Sequence, residues 1–261
     1  KHITERFGST LRTKNLSTEK INKIKRELSA TPAEFNSFRA VLYTVLENEI
    51  YELRLDRNHL KRIPPYPVKS RQTILTETGI KQFKACFVDA STFDESDRNY
   101  ARFVACLLFT GQRPTMLRTL KSRDDGIGNY VNWQRKAMIF RTYKTSKVIP
   151  EKEVAIPLSK TAFTIMREAS LLRPKNDFVF SSPDLRTDFR DWAISEKRAQ
   201  AFFRKHSNKF EKEGHENLVL YSLRHTFGST MLNKYTPIIQ VSKMMLHSSI
   251  QTTQNYLKTT W

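Results

Sequence analysis

The chain has 261 residues, enough for one large or two modest domains with a buried core. Hydrophobic residues make up 39% and aromatic residues 11%, which excludes a disordered basic tail. No apolar run approaches the roughly 18 residues of a membrane span, and the opening KHITERFGST is no signal peptide.

Net charge is +19, from 45 Lys and Arg against 26 Asp and Glu, so the composition points to a polyanionic partner, nucleic acid before a membrane surface. Residues 1–70 hold 14 basic and 8 acidic residues, and 71–261 hold 31 and 18, so the polyanion is expected to contact both parts. Cys86 and Cys106 sit in apolar helical text with no CxxC spacing, and read as core thiols of an intracellular, reducing compartment. The chain opens on Lys1 rather than Met, as a fragment or processed form does.

In chain order, STEKINKIKRELS (17–29) places Ile21, Ile24 and Leu28 at helical spacing. TPAEF then predicts a helix start, with Thr31 as N-cap, Pro32 in the first turn and Glu34 closing a capping box. Phe35, Phe38, Leu42, Val45, Leu46 and Ile50 follow on one face, and 53–62 suggests another short helical piece. Pro64, Pro65 and Pro67 in IPPYPVKS favour an extended connector. This gives a helical domain over 1–65, a linker at 66–73 and a second domain over 74–261.

In the second domain Thr76 caps a helical region, and RNYARFVACLLFT (98–110) is an apolar helix stopped by Gly111. The period then shifts to strands at 130–133, 137–143 and 153–158, with the lysine-rich KTSKVIPEK between the last two. Residues 159–172 and most of 188–257 return to helix. The fold class is therefore mainly α with a small antiparallel sheet. KSRDDG (121–126) reads as a turn.

Four pieces carry chemistry: TGQRP with Arg113; Lys144 at the mouth of the last hairpin; YSLRHTFGS with Tyr221, Arg224 and His225; and LHSSIQTTQNY with His247 and Tyr256. Singly, each has a bland alternative: a capping arginine, a salt-bridged arginine, a solvated lysine, a satisfied histidine, a packing tyrosine. Together and in order they resemble the tyrosine recombinase (phage-type integrase) family, whose pattern is a TGxR box, a hairpin lysine, an HxxRH box, a GHSS-like segment and then a tyrosine. The register agrees as well, with 23 residues from Arg224 to His247 and 9 from there to Tyr256. The match runs from about 75 to 257; residues 1–62 resemble the family's core-binding domain only in length, helicity and charge.

The resemblance implies DNA cleavage and rejoining through a 3′-phosphotyrosyl link, with no metal, cofactor or ATP. Arg113 and Arg224 would grip the phosphate, since each guanidinium offers paired donors. Lys144, with Lys147 as the neighbouring alternative, would protonate the leaving oxygen. His247 would bond the phosphate or position the tyrosine, His225 would buttress the site, and Tyr256 would attack. The implied partners are duplex DNA carrying a specific site and three further copies of the chain, in the cytoplasm and away from membrane.

Three positions depart from the family pattern. Tyr221 stands where His is usual; a phenol titrating near pH 10 is a poor base but can donate to a phosphate oxygen. Met116 replaces a frequent Glu, and Leu246 replaces the Gly before His. Tyr221 keeps a hairpin-forming telomere resolvase as an alternative. A non-catalytic DNA-binding protein on the same scaffold is the alternative outside enzymes.

Overall fold

The computed structural model describes residues 16–52, 55–67, 73–141, 153–172, 177–182, 193–214 and 217–257. The chain divides into two compact units, Lys1–Ser70 and Arg71–Trp261.

In the first unit, Ser17 caps α1 (Thr18–Glu27) by accepting the Lys20 N–H at 3.3 Å. Helix α2 (Pro32–Tyr51) starts differently from the expected capping box: the Thr31 side chain makes no cap hydrogen bond. Pro32 presets the first turn instead, and the Thr31 carbonyl accepts from Glu34 and Phe35. Phe35, Phe38, Leu42 and Leu46 bury against Ile21, Ile24, Leu28, Leu60 and Ile63. Val45 is exposed and Ile50 only partly buried, so the apolar stripe is narrower than the periodicity suggests. Between 53 and 62, regular structure among the described residues is a 3₁₀ turn, His59–Arg62.

The proline segment, as far as Tyr66, is fastened to this unit. Prolines leave carbonyls without the N–H pairing of regular structure, and basic side chains take them up. Lys25 Nζ donates to Pro64 O at 2.8 Å and Arg39 Nε to Ile63 O at 2.7 Å. Asn36 and the Tyr66 backbone exchange two bonds, each 2.8 Å. Linker residues 68–72 lie outside the described residues.

The second unit is built around α4 (Glu95–Thr110), which is mostly buried from Asn99 onward. Helix α3 (Glu77–Phe87), capped by Thr76 as expected, packs on it. So do α6 (Lys160–Leu171), α7 (Glu196–Ser207) and α8 (Leu220–Asn233). Phe83, Phe87, Phe93, Phe202, Phe203 and Phe210 form an aromatic nest with ring centroids 4.9–6.4 Å apart. Cys106 is buried within α4, whereas Cys86 is only partly buried.

Strands β2 (Tyr130–Asn132), β3 (Ala137–Phe140) and β4 (Val154–Pro157) form an antiparallel sheet in that order, with Phe140 opposite Val154. A second, two-residue ribbon pairs β1 (Ile74–Leu75) with β5 (Lys212–Glu213). It adds to the one sheet expected from sequence. Short helices α5 (Pro114–Arg118), α9 (Ile238–Met244) and α10 (Ile250–Gln254) carry the site. Among the described residues, no helix is long and apolar enough to cross a membrane.

Candidate active site

Gly111 ends α4 in the left-handed region, φ 63°, and Pro114 opens α5 two residues after Gln112. That stop-and-restart holds Gln112 and Arg113 against the end of α9. Three consecutive carbonyls there are claimed by three side chains. Gln112 Nε2 donates to Met244 O at 2.7 Å, Arg224 Nη2 to Met245 O at 2.7 Å, and Arg113 Nη1 to Leu246 O at 3.3 Å. The last carbonyls of a helix lack partners within it and carry its negative dipole end, so cations collect there. Arg224 also donates from Nη1 to Gly111 O at 2.6 Å, tying the two boxes into one structure.

Arg224 is fully buried. Among the described residues no carboxylate pairs with it or with Arg113, and its Nε N–H has no hydrogen-bond partner. Burial pushes its pKa down, and Arg113 adds in the same direction. A buried cation without a counter-ion costs several kcal/mol. An anion seated beside it would offset that cost.

On α8, residues 221, 224, 225 and 228 share one face by helical spacing. Tyr221 is 42% exposed, and its ring meets His225 edge-on at 5.1 Å. His225 in turn lies 5.1 Å from the Tyr256 ring. Gly228 forms the floor: a Cβ there would stand 2.9 Å from Tyr256 Cδ1 and 3.1 Å from Met245 Sδ.

The HSS segment turns through Leu246, whose φ of 52° is the left-handed geometry that suits the glycine usual at this place. His247 then faces Tyr256 in a near-parallel stack, centroids 5.8 Å apart and planes 18° apart. Its Nδ1 is held by Thr253 Oγ1 at 2.8 Å. Burial, then the charges of Arg224 and Arg113, lower the His247 pKa to about 4. His225 is lowered to about 4 by burial and by Arg224. Both imidazoles are therefore neutral at neutral pH.

Tyr256 is 4% exposed and packs with Phe227, Val241 and Met245. Burial raises its pKa; the charge of Arg224 and a hydrogen bond from it oppose that rise. The phenol thus waits protonated against a guanidinium.

The structure brings together Arg113, Tyr221, Arg224, His225, His247 and Tyr256. Lys144 and Lys147 lie outside the described residues. The buried Met116 packs in the core. Gln112, Gly228 and Thr253 complete the site and were not singled out from sequence. Gln112 sits inside the TGQRP box, which was the available signal; the other two act through contacts that only the fold creates. Among the described residues, no group of three or more His, Cys, Asp or Glu could hold a metal ion.

The site thus sets a fully buried arginine and a partly buried one beside a docked phenol, in a helical domain with a small antiparallel sheet. The model of the phage integrase family matches residues 75–260, and the chain belongs to that family. The tyrosine recombinase XerA of Pyrococcus horikoshii is 26% identical over 208 residues, which cover 79% of this chain and 64% of that protein. The chain thus spans less than two thirds of that relative's length. Lambda integrase bound as a dimer to a core site matches in fold with TM-score 0.68 at 17% identity, covering 98% of this chain and 84% of the other. The XerH recombinase bound to its difH substrate matches at 0.66 and 17%, covering 98% and 73%.

Proposed function

We propose that the chain is a site-specific DNA recombinase that cuts and rejoins strands through a 3′-phosphotyrosyl intermediate. One observation carries the proposal: the Tyr256 phenol is buried against Arg224, which lacks any carboxylate partner among the described residues and shares its anchoring segment with Arg113. Family membership, the fold and the net charge of +19 support it.

In this reading a backbone phosphate enters between the two guanidiniums, which neutralise the charge that grows on its non-bridging oxygens. The Tyr256 oxygen attacks phosphorus and its proton passes to one of the neutral imidazoles flanking the ring. The bond from phosphorus to the 5′-oxygen breaks, and Lys144 protonates that oxygen. His247, its Nδ1 engaged by Thr253, presents its other nitrogen to the phosphate. Tyr221 donates a hydrogen bond where relatives use an imidazole. The phosphotyrosyl bond keeps the energy of the phosphodiester, so a second 5′-hydroxyl reseals it without ATP. Exchange of four strands requires four such sites, hence a tetramer on duplex DNA. The basic first unit serves as the core-binding domain.

The test uses nicked duplexes tiled across the DNA that flanks the gene. Wild type forms a denaturant-stable protein–DNA adduct on at least one of them, and Tyr256→Phe forms none. Absence of adduct from wild type across the whole set supports the non-catalytic alternative. Hairpin ends as the product on a palindromic site favour a telomere resolvase, the outcome to which Tyr221 lends weight.

A further inference from the structure

Two imidazoles flank the Tyr256 ring, and they are held differently. His225 packs its ring between Tyr221 and Tyr256, 5.1 Å from each, and no described group is hydrogen-bonded to either of its ring nitrogens. His247 is anchored: Thr253 Oγ1 lies 2.8 Å from Nδ1, and no described group bonds its Nε2. Thr253 is fully buried. Its carbonyl also accepts the Tyr256 N–H at 3.1 Å. One residue thus fastens the His247 ring through its hydroxyl and the backbone of the nucleophile through its carbonyl.

The direction of the Thr253–His247 bond decides which His247 nitrogen carries the proton. A hydroxyl has one hydrogen to give and lone pairs to receive with. Were Nδ1–H to donate to Oγ1, the hydroxyl hydrogen of this buried residue would need another acceptor. Among the described residues Oγ1 has no other partner. A buried donor without an acceptor is costly, and the cost vanishes if Oγ1–H donates to Nδ1. The proton of the neutral ring then sits on Nε2. In that state Nδ1 is occupied and Nε2 carries hydrogen, so the ring can give a hydrogen bond but has no lone pair free to take a proton.

We propose that Thr253 is a positioning residue that locks His247 with its proton on Nε2, which makes His247 a donor to the phosphate and leaves His225 to receive the Tyr256 proton. This rests on the proposed cleavage reaction and decides between the two imidazoles in it. The phenol O–H bond breaks and its proton passes to a ring nitrogen of His225, which becomes an imidazolium. The electron pair left on the Tyr256 oxygen forms the bond to phosphorus. The phosphorus–5′-oxygen bond breaks with its pair on the 5′-oxygen, which takes up a proton as in that reaction. Burial and the charge of Arg224 hold the His225 pKa down, and an incoming phosphate offsets the second of these.

Two measurements test this. The first is the single-turnover rate of adduct formation on a nicked duplex that wild type cleaves. Thr253→Val keeps the branched shape and loses the hydroxyl; Thr253→Ser keeps the hydroxyl and loses the methyl. The Val variant is expected to be slower by about 10–100-fold, the scale of a misplaced reacting group, and the Ser variant to stay within about 3-fold of wild type. A Thr253 that only fills space gives the opposite order, since Val packs the position better than Ser. On the same duplex His225→Gln, which cannot take a proton, should be slowed more than His247→Gln, which can still donate. The second measurement is the long-range proton–nitrogen NMR correlation of the free protein at neutral pH. Its His247 signals, among six histidines, are assigned by their absence in His247→Gln. Wild type is expected to show Nε2 protonated, and Thr253→Val a mixture of tautomers. A Val variant at the wild-type rate, a Ser variant as slow as Val, or the reverse order of the two histidine variants overturns the inference. So does a proton on Nδ1 in wild type, or a tautomer unchanged in Thr253→Val. The cleavage reaction itself survives each of these results. Absence of adduct from wild type on every duplex removes that reaction, and the inference with it.

Discussion

The phenol of Tyr256 and the guanidinium of Arg224 hold each other in opposed balance: burial raises the tyrosine's pKa, and the arginine's charge and hydrogen bond lower it. Arg224 manages this while donating to Gly111 O and Met245 O, which requires the planar fork. Arg224→Lys keeps the charge but cannot span both carbonyls and the phosphate. Adduct formation by this variant is expected to fall at least about 100-fold, the scale of losing one preorganised donor to the transition state. Thermal unfolding checks that the chain still folds, and a rate within about 3-fold of wild type would contradict the assignment.

Gly228 reports on how closely the nucleophile is seated. An added methyl would stand 2.9 Å from one carbon of the Tyr256 ring, closer than real contacts allow, and a tight 3.1 Å from another. Met245 Sδ can move aside, but the ring must shift with it. Gly228→Ala should therefore slow cleavage by about 10–100-fold, with a stability loss of about 1–3 kcal/mol from overpacking. The comparison is single-turnover cleavage against chemical unfolding of the same sample.

Gly111 serves backbone and packing at once. Its φ is 63°, and a Cβ would lie 2.2 Å from the Phe227 ring. The left-handed geometry costs a residue with a Cβ roughly 1–2 kcal/mol, and the clash roughly 1–3 kcal/mol more. Gly111→Ala is expected to lose about 2–5 kcal/mol of unfolding free energy, measured by denaturant titration.

Leu246 poses the opposite question, because its φ of 52° suits glycine. Its side chain is only 4% exposed and belongs to the main core. Truncating a buried leucine costs about 2–5 kcal/mol, more than the roughly 1–2 kcal/mol that relief of the backbone returns. Leu246→Gly should thus destabilise the protein despite matching the family's usual residue, and a rise in melting temperature would refute this.

His225 and His247 titrate near pH 4 in the folded chain and near about 6.5 when unfolded. A lowered folded pKa means that the unfolded chain binds more protons in between. The stabilisation from their neutral forms is thus complete above about pH 6.5, shrinks as pH falls below it, and is gone below about pH 4. Unfolding midpoints measured from pH 7.5 to 4 should decline, and His225→Gln should flatten part of that decline.

Much of the site was visible in the primary structure because it lies in short local signals. Gly111 after an apolar helix, the TGQRP box behind it and the spacing of Tyr221, Arg224 and His225 all act within a few residues. What escaped acts across the fold. Gly228 lies 28 positions before Tyr256, and nothing in TFGS announces a ring above that glycine. Thr253 looked like one more hydroxyl of the QTT run until the α10 turn set it on His247. The β1–β5 ribbon joins residues well over a hundred positions apart with two residues a side, too short for any period to show. Val45 matched the apolar period of α2, yet burial depends on what packs opposite, and Val45 faces solvent. Asp124 read correctly as part of a turn, but its grip on Arg141 needed the sheet to be assembled first.

The central claim is that the Tyr256 oxygen is the atom that joins to DNA. Digesting a trapped protein–DNA adduct and locating the nucleotide-bearing peptide by mass spectrometry tests this directly. The account predicts a single modified peptide carrying the nucleotide on Tyr256. Linkage to the exposed phenol of Tyr221, or to any other side chain, would contradict it.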